Sequence, residues 1–284
     1  MSNNTLIEMI TMLGYSEQEL VKYTGLSSDV IHRVFSEVAP SLTSDEQKVL
    51  EDFIRHPFYD ITSDKKYPDA VRETASAYGS AAAEAEDWIQ KAAIPIKKPG
   101  TYTLEDYMAL PDDCRAELID GNLYRMEAPS FIHQIIGGEL HRQISNFIIS
   151  HKGSCIACTA PADILLDRDD RTAVQPDVFV ICDRGNITRK HGMGAPDLVI
   201  EVLSPSTKKK DMNLKRDKYQ RAGVREYWMI DPDKQKVIVE NFEGDQDITI
   251  YSFTNKIPVH IFPDNCEIDF AQVYEQVKFL YEKP

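Results

Sequence analysis

Residues 196–207 read Pro196-Asp197-Leu198-Val199-Ile200-Glu201-Val202-Leu203-Ser204-Pro205-Ser206-Thr207. Apart from Glu201, the run Leu198 to Leu203 is apolar, and it is bounded by turn residues, so it reads as a buried strand. Pro205 cannot continue a central ladder, which sets Glu201 close to the strand's exit. A carboxylate inside such a strand is costly unless it finds a partner, a proton or a metal.

Upstream, Asp177 to Ile181, following Pro176, has the same character, as does Ala162 to Leu166, opened by Asp163. The sequence offers no partner for Asp163. Asp177 and Glu201 on two successive strands invite a shared cation, and Mg²⁺ typically takes one or two carboxylates with water and phosphate oxygens. The competing reading of either residue is a structural hydrogen-bond acceptor or salt-bridge partner.

Downstream come Lys208 to Lys210, then Asp211, Lys215 and Tyr219 at four-residue intervals on a helix expected over Asp211 to Ala222, ended by Gly223. At ~100° per residue, Lys215 and Lys218 fall in the arc of Leu214, Tyr219 and Ala222 and point toward the sheet. An inward lysine beside carboxylates neutralises charge on a phosphate. The alternative is a stem packed on the core with its ammonium reaching solvent, the better reading for Lys218.

Further elements follow the same logic. Leu104 to Met108 is a short helix, Glu117 to Met126 a hairpin turning at Asp120-Gly121, and Ile132 to Ile149 a long amphipathic helix. Glu226 to Ile230, Val237 to Asn241 and Ile248 to Phe253 complete a strand and meander. Helices alternating with strands make this an α/β (α+β) protein built on a sheet.

The chain has 284 residues, enough for a catalytic-sized domain at 100–284 and a helical N-terminal domain at 1–95. Ile94 to Gly100, with two prolines, two lysines and a glycine, is the best linker. Before it, Ser16 and Glu19 form a capping-box pattern, Gly25 interrupts, and Ser27 to Glu37 restarts. This helix, turn, helix pattern is a possible DNA-reading head, but only Arg33 and His32 stand beside Asp29 and Glu37, so packing or oligomerisation is the stronger reading. Ser80 to Glu86 is Ala-rich and reads as helix leading into Trp88 and Ile89.

Net charge is −14, and residues 1–95 hold eight Lys and Arg against 16 Asp and Glu. That argues against a broad DNA-coating surface but leaves room for a local basic cleft. No apolar run approaches the ~20 residues of a membrane span, and Met1 to Leu13 lacks the pattern of an export signal, so a cytoplasmic location is expected. Five cysteines at low density suit a reduced compartment. Cys155 and Cys158 have the gap of half a zinc site without a second pair, so ordinary buried thiols are expected.

The ordered series Glu117-Leu118-Ile119-Asp120-Gly121, Pro129-Ser130 to His133, Gln175-Pro176-Asp177-Val178 and Pro196 to Thr207 resembles the Uma-two family of restriction-endonuclease-like proteins. The match continues through Asp211, Lys215, Tyr219, Gly223-Val224-Arg225-Glu226-Tyr227-Trp228 and Asp231-Pro232. The resemblance implies a PD-(D/E)xK nuclease fold, a mixed central sheet flanked by helices. It makes Asp177 and Glu201 the metal-binding acids, with the Val202 carbonyl on the same ion, and Glu117 the acid from the preceding element. The superfamily lysine belongs two residues after the second acid, where this chain has Leu203. By the family's spacing Lys215 substitutes.

The implied activity is hydrolysis of DNA phosphodiesters with Mg²⁺ (or Mn²⁺). His133 either orients a phosphate or water, or caps and packs its helix; His141 is read as surface. A homodimer is the default, since duplex cleavage takes two cuts. The rival reading is a non-catalytic interaction or regulatory protein on a nuclease-like scaffold.

Overall fold

The computed structural model describes residues 3–36, 41–55, 59–60, 65–66, 89, 94–111, 113–243 and 248–282. The helix expected at Ser80 to Glu86 and Trp88 lie outside the described residues. Contacts divide the chain into two compact units, Met1–Ala83 with Ser206–Asp217, and Glu84–Pro205 with Lys218–Pro284.

The first unit is helical: α1 (Asn3–Leu13), α2 (Glu17–Thr24), α3 (Ser28–Ser36) and α4 (Ser44–Arg55). Ser16 and Glu19 close a reciprocal capping box at the start of α2, and Gly25 ends it at φ 70°, a left-handed position that suits glycine. Leu6, Ile10, Leu20, Ile31, Leu50 and Phe53 are buried at helix spacing. Tyr15 packs edge-on against Phe53, and its hydroxyl donates to Asn213 Oδ1 at 3.1 Å. Arg216 Nη1 donates to the Ile54 carbonyl at 3.0 Å.

Residues 210–215 depart from expectation. Lys210–Lys215 forms a π-helix, and only Arg216–Ala222 (α7) is α-helical. The wider i→i+5 turn invalidates an α-helical wheel across this stretch. Lys215 is buried all the same, with Nζ 3.9 Å from Asp211 Oδ1.

The second unit opens with α5 (Leu104–Met108) and the hairpin β1 (Ala116–Ile119) to β2 (Asn122–Arg125). Asp120 and Gly121 both take positive φ, 48° and 74°, as a two-residue turn with the twist of its strands demands. A Cβ on Gly121 would sit 2.7 Å from the Gly100 carbonyl, so the position requires glycine on two counts. Lys218 anchors this turn through Asp120 and also pairs with Asp167. The ammonium is thus held by two carboxylates rather than released to solvent, which corrects the reading of its stem as merely packed.

After α6 (Phe131–Ser150) come β3 (Ile156–Thr159), β4 (Ile164–Leu165), β5 (Val178–Ile181), β6 (Gly192–Met193) and β7 (Leu198–Val202). Beyond α7 lie β8 (Glu226–Asp231), β9 (Lys236–Asn241), β10 (Ile248–Ser252), the short pair β11 (Lys256–Pro258) and β12 (Glu267–Asp269), and α8 (Phe270–Tyr281). One six-stranded sheet runs β10-β9-β8-β7-β5-β3; β7 and β8 are parallel and the other neighbours antiparallel. This is the mixed central sheet expected. Its even-numbered positions Val178, Val180, Leu198, Ile200 and Val202 join a core with Ile136, Leu140 and Ile144 of α6 and Val273 and Val277 of α8.

Two expectations are revised. The strand at Ala162 to Leu166 shrinks to Ile164–Leu165 and pairs with Gly192–Met193, outside the large sheet. Cys155 is bonded to Cys182 rather than being a buried thiol. The antiparallel register Ile156↔Ile181 sets these two residues opposite each other, a proximity invisible across 27 residues of sequence. Among the described residues no helix is long and apolar enough to cross a membrane.

Candidate active site

The ladder between β5 and β7 pairs Val178↔Ile200, Phe179↔Val199 and Val180↔Leu198. One further step sets Asp177 opposite Glu201. Facing residues of an antiparallel pair have Cβ atoms ~5 Å apart, and like charges there repel. The juxtaposition is reinforced by the backbone, because the Val202 N–H donates to Asp177 Oδ2 at 2.7 Å. One carboxylate is therefore held against the peptide that follows the other.

Each acid is engaged by neighbouring side chains. His133, in the first turn of α6, places Nε2 3.0 Å from Asp177 Oδ2, the oxygen that also accepts from Val202. The Tyr219 hydroxyl donates to Glu201 Oε1 at 2.7 Å, with Tyr219 wholly buried and Glu201 3% exposed.

A supporting layer surrounds Asp177. Glu117, fully buried in β1, accepts from the Gln175 N–H at 3.1 Å, two residues before Asp177. The Gln175 side-chain amide donates to Asp163 Oδ1 at 2.9 Å and to the Tyr107 hydroxyl at 3.1 Å, and Tyr107 donates to Asp163 at 2.6 Å. Burial and the Asp163 bond both raise the Tyr107 pKa, so the phenol stays protonated as a donor. Asp163 thus finds the partners its sequence did not disclose.

The residues fit a hard divalent ion. Among the described residues no group of three or more His, Cys, Asp or Glu side chains is placed to hold a metal. Mg²⁺ needs fewer protein ligands, and opposed carboxylates with an adjacent backbone carbonyl supply the oxygens it prefers. His133 Nδ1 and Gln175 Oε1, both beside Asp177 in sequence or contact, are buried with no hydrogen-bond partner. Such atoms cost ~1–3 kcal/mol each when left unsatisfied and are commonly met by water.

A family model, Uma2, described as "Putative restriction endonuclease", matches residues 104–271. The chain belongs to the Uma2 family. The Uma2 match starts at the first residue of α5 and includes Glu117, His133, Asp177, Glu201, Lys215 and Tyr219, while α1 to α4 lie outside it. Among solved structures the chain is similar to one described as the crystal structure of "a putative nuclease belonging to DUF820" from Anabaena variabilis ATCC 29413. The two are 22% identical with a TM-score of 0.52, over 64% of this chain and 99% of that one. At that identity the likeness carries the nuclease-like fold. No curated protein matches the chain.

Within the Uma2 domain the second unit brings together Asp177, Glu201, Val202 and His133, with Glu117 behind Gln175. Lys215 belongs to the first unit, and its Nζ lies 3.9 Å from Asp211 Oδ1. His141 is half-buried and bonded to the Ala157 carbonyl at 3.2 Å, so it is not a surface residue. The residue that sequence reasoning passed over is Tyr219 as the donor to Glu201. Its four-residue spacing from Lys215 was the available signal.

Proposed function

We propose that this protein is a divalent-metal-dependent endonuclease that hydrolyses DNA phosphodiester bonds. The observation that carries the reading is the Val202 N–H donated to Asp177, which holds that carboxylate against the peptide following Glu201. Asp177, Glu201 and the Val202 carbonyl would hold Mg²⁺ or Mn²⁺. When bound, such an ion supplies Lewis acidity toward the phosphate and a more acidic water.

The chain's own residues do the rest. The Val202 N–H and His133 fix the Asp177 carboxylate, and Tyr219 fixes that of Glu201. Glu117 holds the Gln175-Pro176-Asp177 run by its backbone. Lys215, four residues before Tyr219, is assigned by spacing as the cation that neutralises charge on the scissile phosphate. We assign a homodimer on the ground that two strands need two cuts.

A second reading, a non-catalytic interaction protein on the same sheet, has one observation in its favour. Leu203, buried at 5% exposure, occupies the position where the superfamily motif carries its lysine. Cleavage of plasmid and oligonucleotide DNA in Mg²⁺ and Mn²⁺ separates the two. The native protein should cut, and Asp177→Ala, Glu201→Ala and Lys215→Ala should each abolish cutting. No cleavage on varied substrates, together with no calorimetric metal binding, would establish the scaffold instead.

A further inference from the structure

From Arg184 to Pro196 the chain has no acidic residue, although its net charge is −14. This stretch begins seven residues after Asp177, just past the end of β5 at Ile181, and carries Arg184, Arg189 and Lys190. It is a built loop. The bridge Ile187↔Gly192 closes its base. The Thr188 N–H donates to the His191 carbonyl at 3.0 Å, and Thr188 Oγ1 accepts from the N–H groups of Lys190 at 3.2 Å and His191 at 3.0 Å. Arg189 and Lys190 therefore form the tip of a closed turn, both exposed, and among the described residues neither side chain has an ionic partner.

Neighbouring cations are tied to the same loop. Arg184 Nε donates to the Ser154 carbonyl at 2.7 Å, beside the exposed Lys152, and Arg168 Nη2 donates to Asn186 Oδ1 at 2.6 Å. The closest acid in sequence, Asp183, uses Oδ1 to cap the Gly185 N–H. A chain this acidic repels a polyanion over most of its surface, so productive approach needs a local region of the opposite sign.

We propose that the loop 184–191 is a phosphate-binding foothold for duplex DNA, engaging the backbone on one side of the scissile phosphate. The proposal rests on the nuclease reading and adds the surface that substrate would use. The four extended residues of β5, at ~3.3 Å each, carry the chain ~13 Å from Asp177 before the loop begins. At 3.4 Å per nucleotide of one strand, that is about four phosphates. A preformed turn with two adjacent, uncommitted cations loses little entropy on gripping phosphates, and Arg is suited to bidentate contact.

The test is fluorescence anisotropy with a duplex of about 20 base pairs between about 50 and 200 mM salt. Wild type is compared with Arg189→Ala/Lys190→Ala, and Mn²⁺ affinity and sedimentation mass are followed in parallel. The double variant should bind DNA more weakly, with its log K against log salt slope reduced by about two, at ~0.9 per lost phosphate contact. Its Mn²⁺ affinity and mass should be unchanged. An unaltered slope and affinity, with Mn²⁺ binding intact, sinks this inference alone. A changed mass with unchanged DNA affinity would assign the turn to contact with a second copy of the chain. If wild type binds no DNA at any salt, the nuclease reading falls and takes the foothold with it.

Discussion

Tyr219 is where one atom can be asked a clean question. Its hydroxyl is the donor to Glu201 Oε1, and the ring stays packed against Tyr227 with centroids 5.1 Å apart whether or not the oxygen is present. Removing a group that orients a metal ligand typically lowers metal affinity ~10–100-fold. Tyr219→Phe is therefore expected to weaken Mn²⁺ binding by that factor in titration calorimetry while circular dichroism stays native; unchanged affinity would reduce the contact to packing. The carboxylates themselves were legible in the sequence, because an acid inside an apolar strand is conspicuous. Tyr219, Tyr107 and Gln175 were not, since a tyrosine on an amphipathic helix looks like core and an amide before proline looks like loop. Only the fold brings Gln175 and Tyr107 to Asp163.

At the level of elements, the hairpin β1-β2 and helix α7 are joined by the Lys218 ammonium through Asp120 and Asp167. Burial disfavours that ammonium, but its hydrogen bonds and charge partners outweigh burial and the pKa is raised. A raised folded pKa gives stability that is complete below the unfolded value of ~10.4 and fades as pH climbs through the folded one. The gap in urea midpoint between wild type and Lys218→Met should accordingly be widest near about pH 8 and narrow by about pH 11; a constant gap would mean the stem alone matters. Most elements of this unit could be read from periodicity and turn residues, as with Asp120-Gly121. Ile156–Thr159 could not, because its four residues alternate weakly and declare themselves a strand only by pairing with β5. The π-helix was hidden for another reason: its composition is that of any amphipathic helix.

For the molecule as a whole, the proposed metal acids tie stability to the ion. Glu201→Gln removes one charge yet keeps an acceptor for Tyr219, so the metal-free variant should stay folded. Added Mg²⁺ should then stabilise wild type alone, by about 2.7 kcal/mol at a hundredfold excess over Kd. At ~2–4 °C per kcal/mol for a domain of this size, differential scanning calorimetry resolves that shift, and an equal response from the variant would remove Glu201 from the site. The connectivity of the two units has another consequence, one of timing. The first unit is assembled from Met1–Ala83 and Ser206–Asp217, and Asn213 and Arg216 bond to Tyr15 and the Ile54 carbonyl. On the ribosome, about 120 residues separate those pieces, which at ~5–20 residues per second is a wait of about 6–25 s. Throughout that interval the newborn helices lack the segment that brings Met212 and Leu214, so the N-terminal helices, although translated first, cannot be finished until most of the second unit has been made.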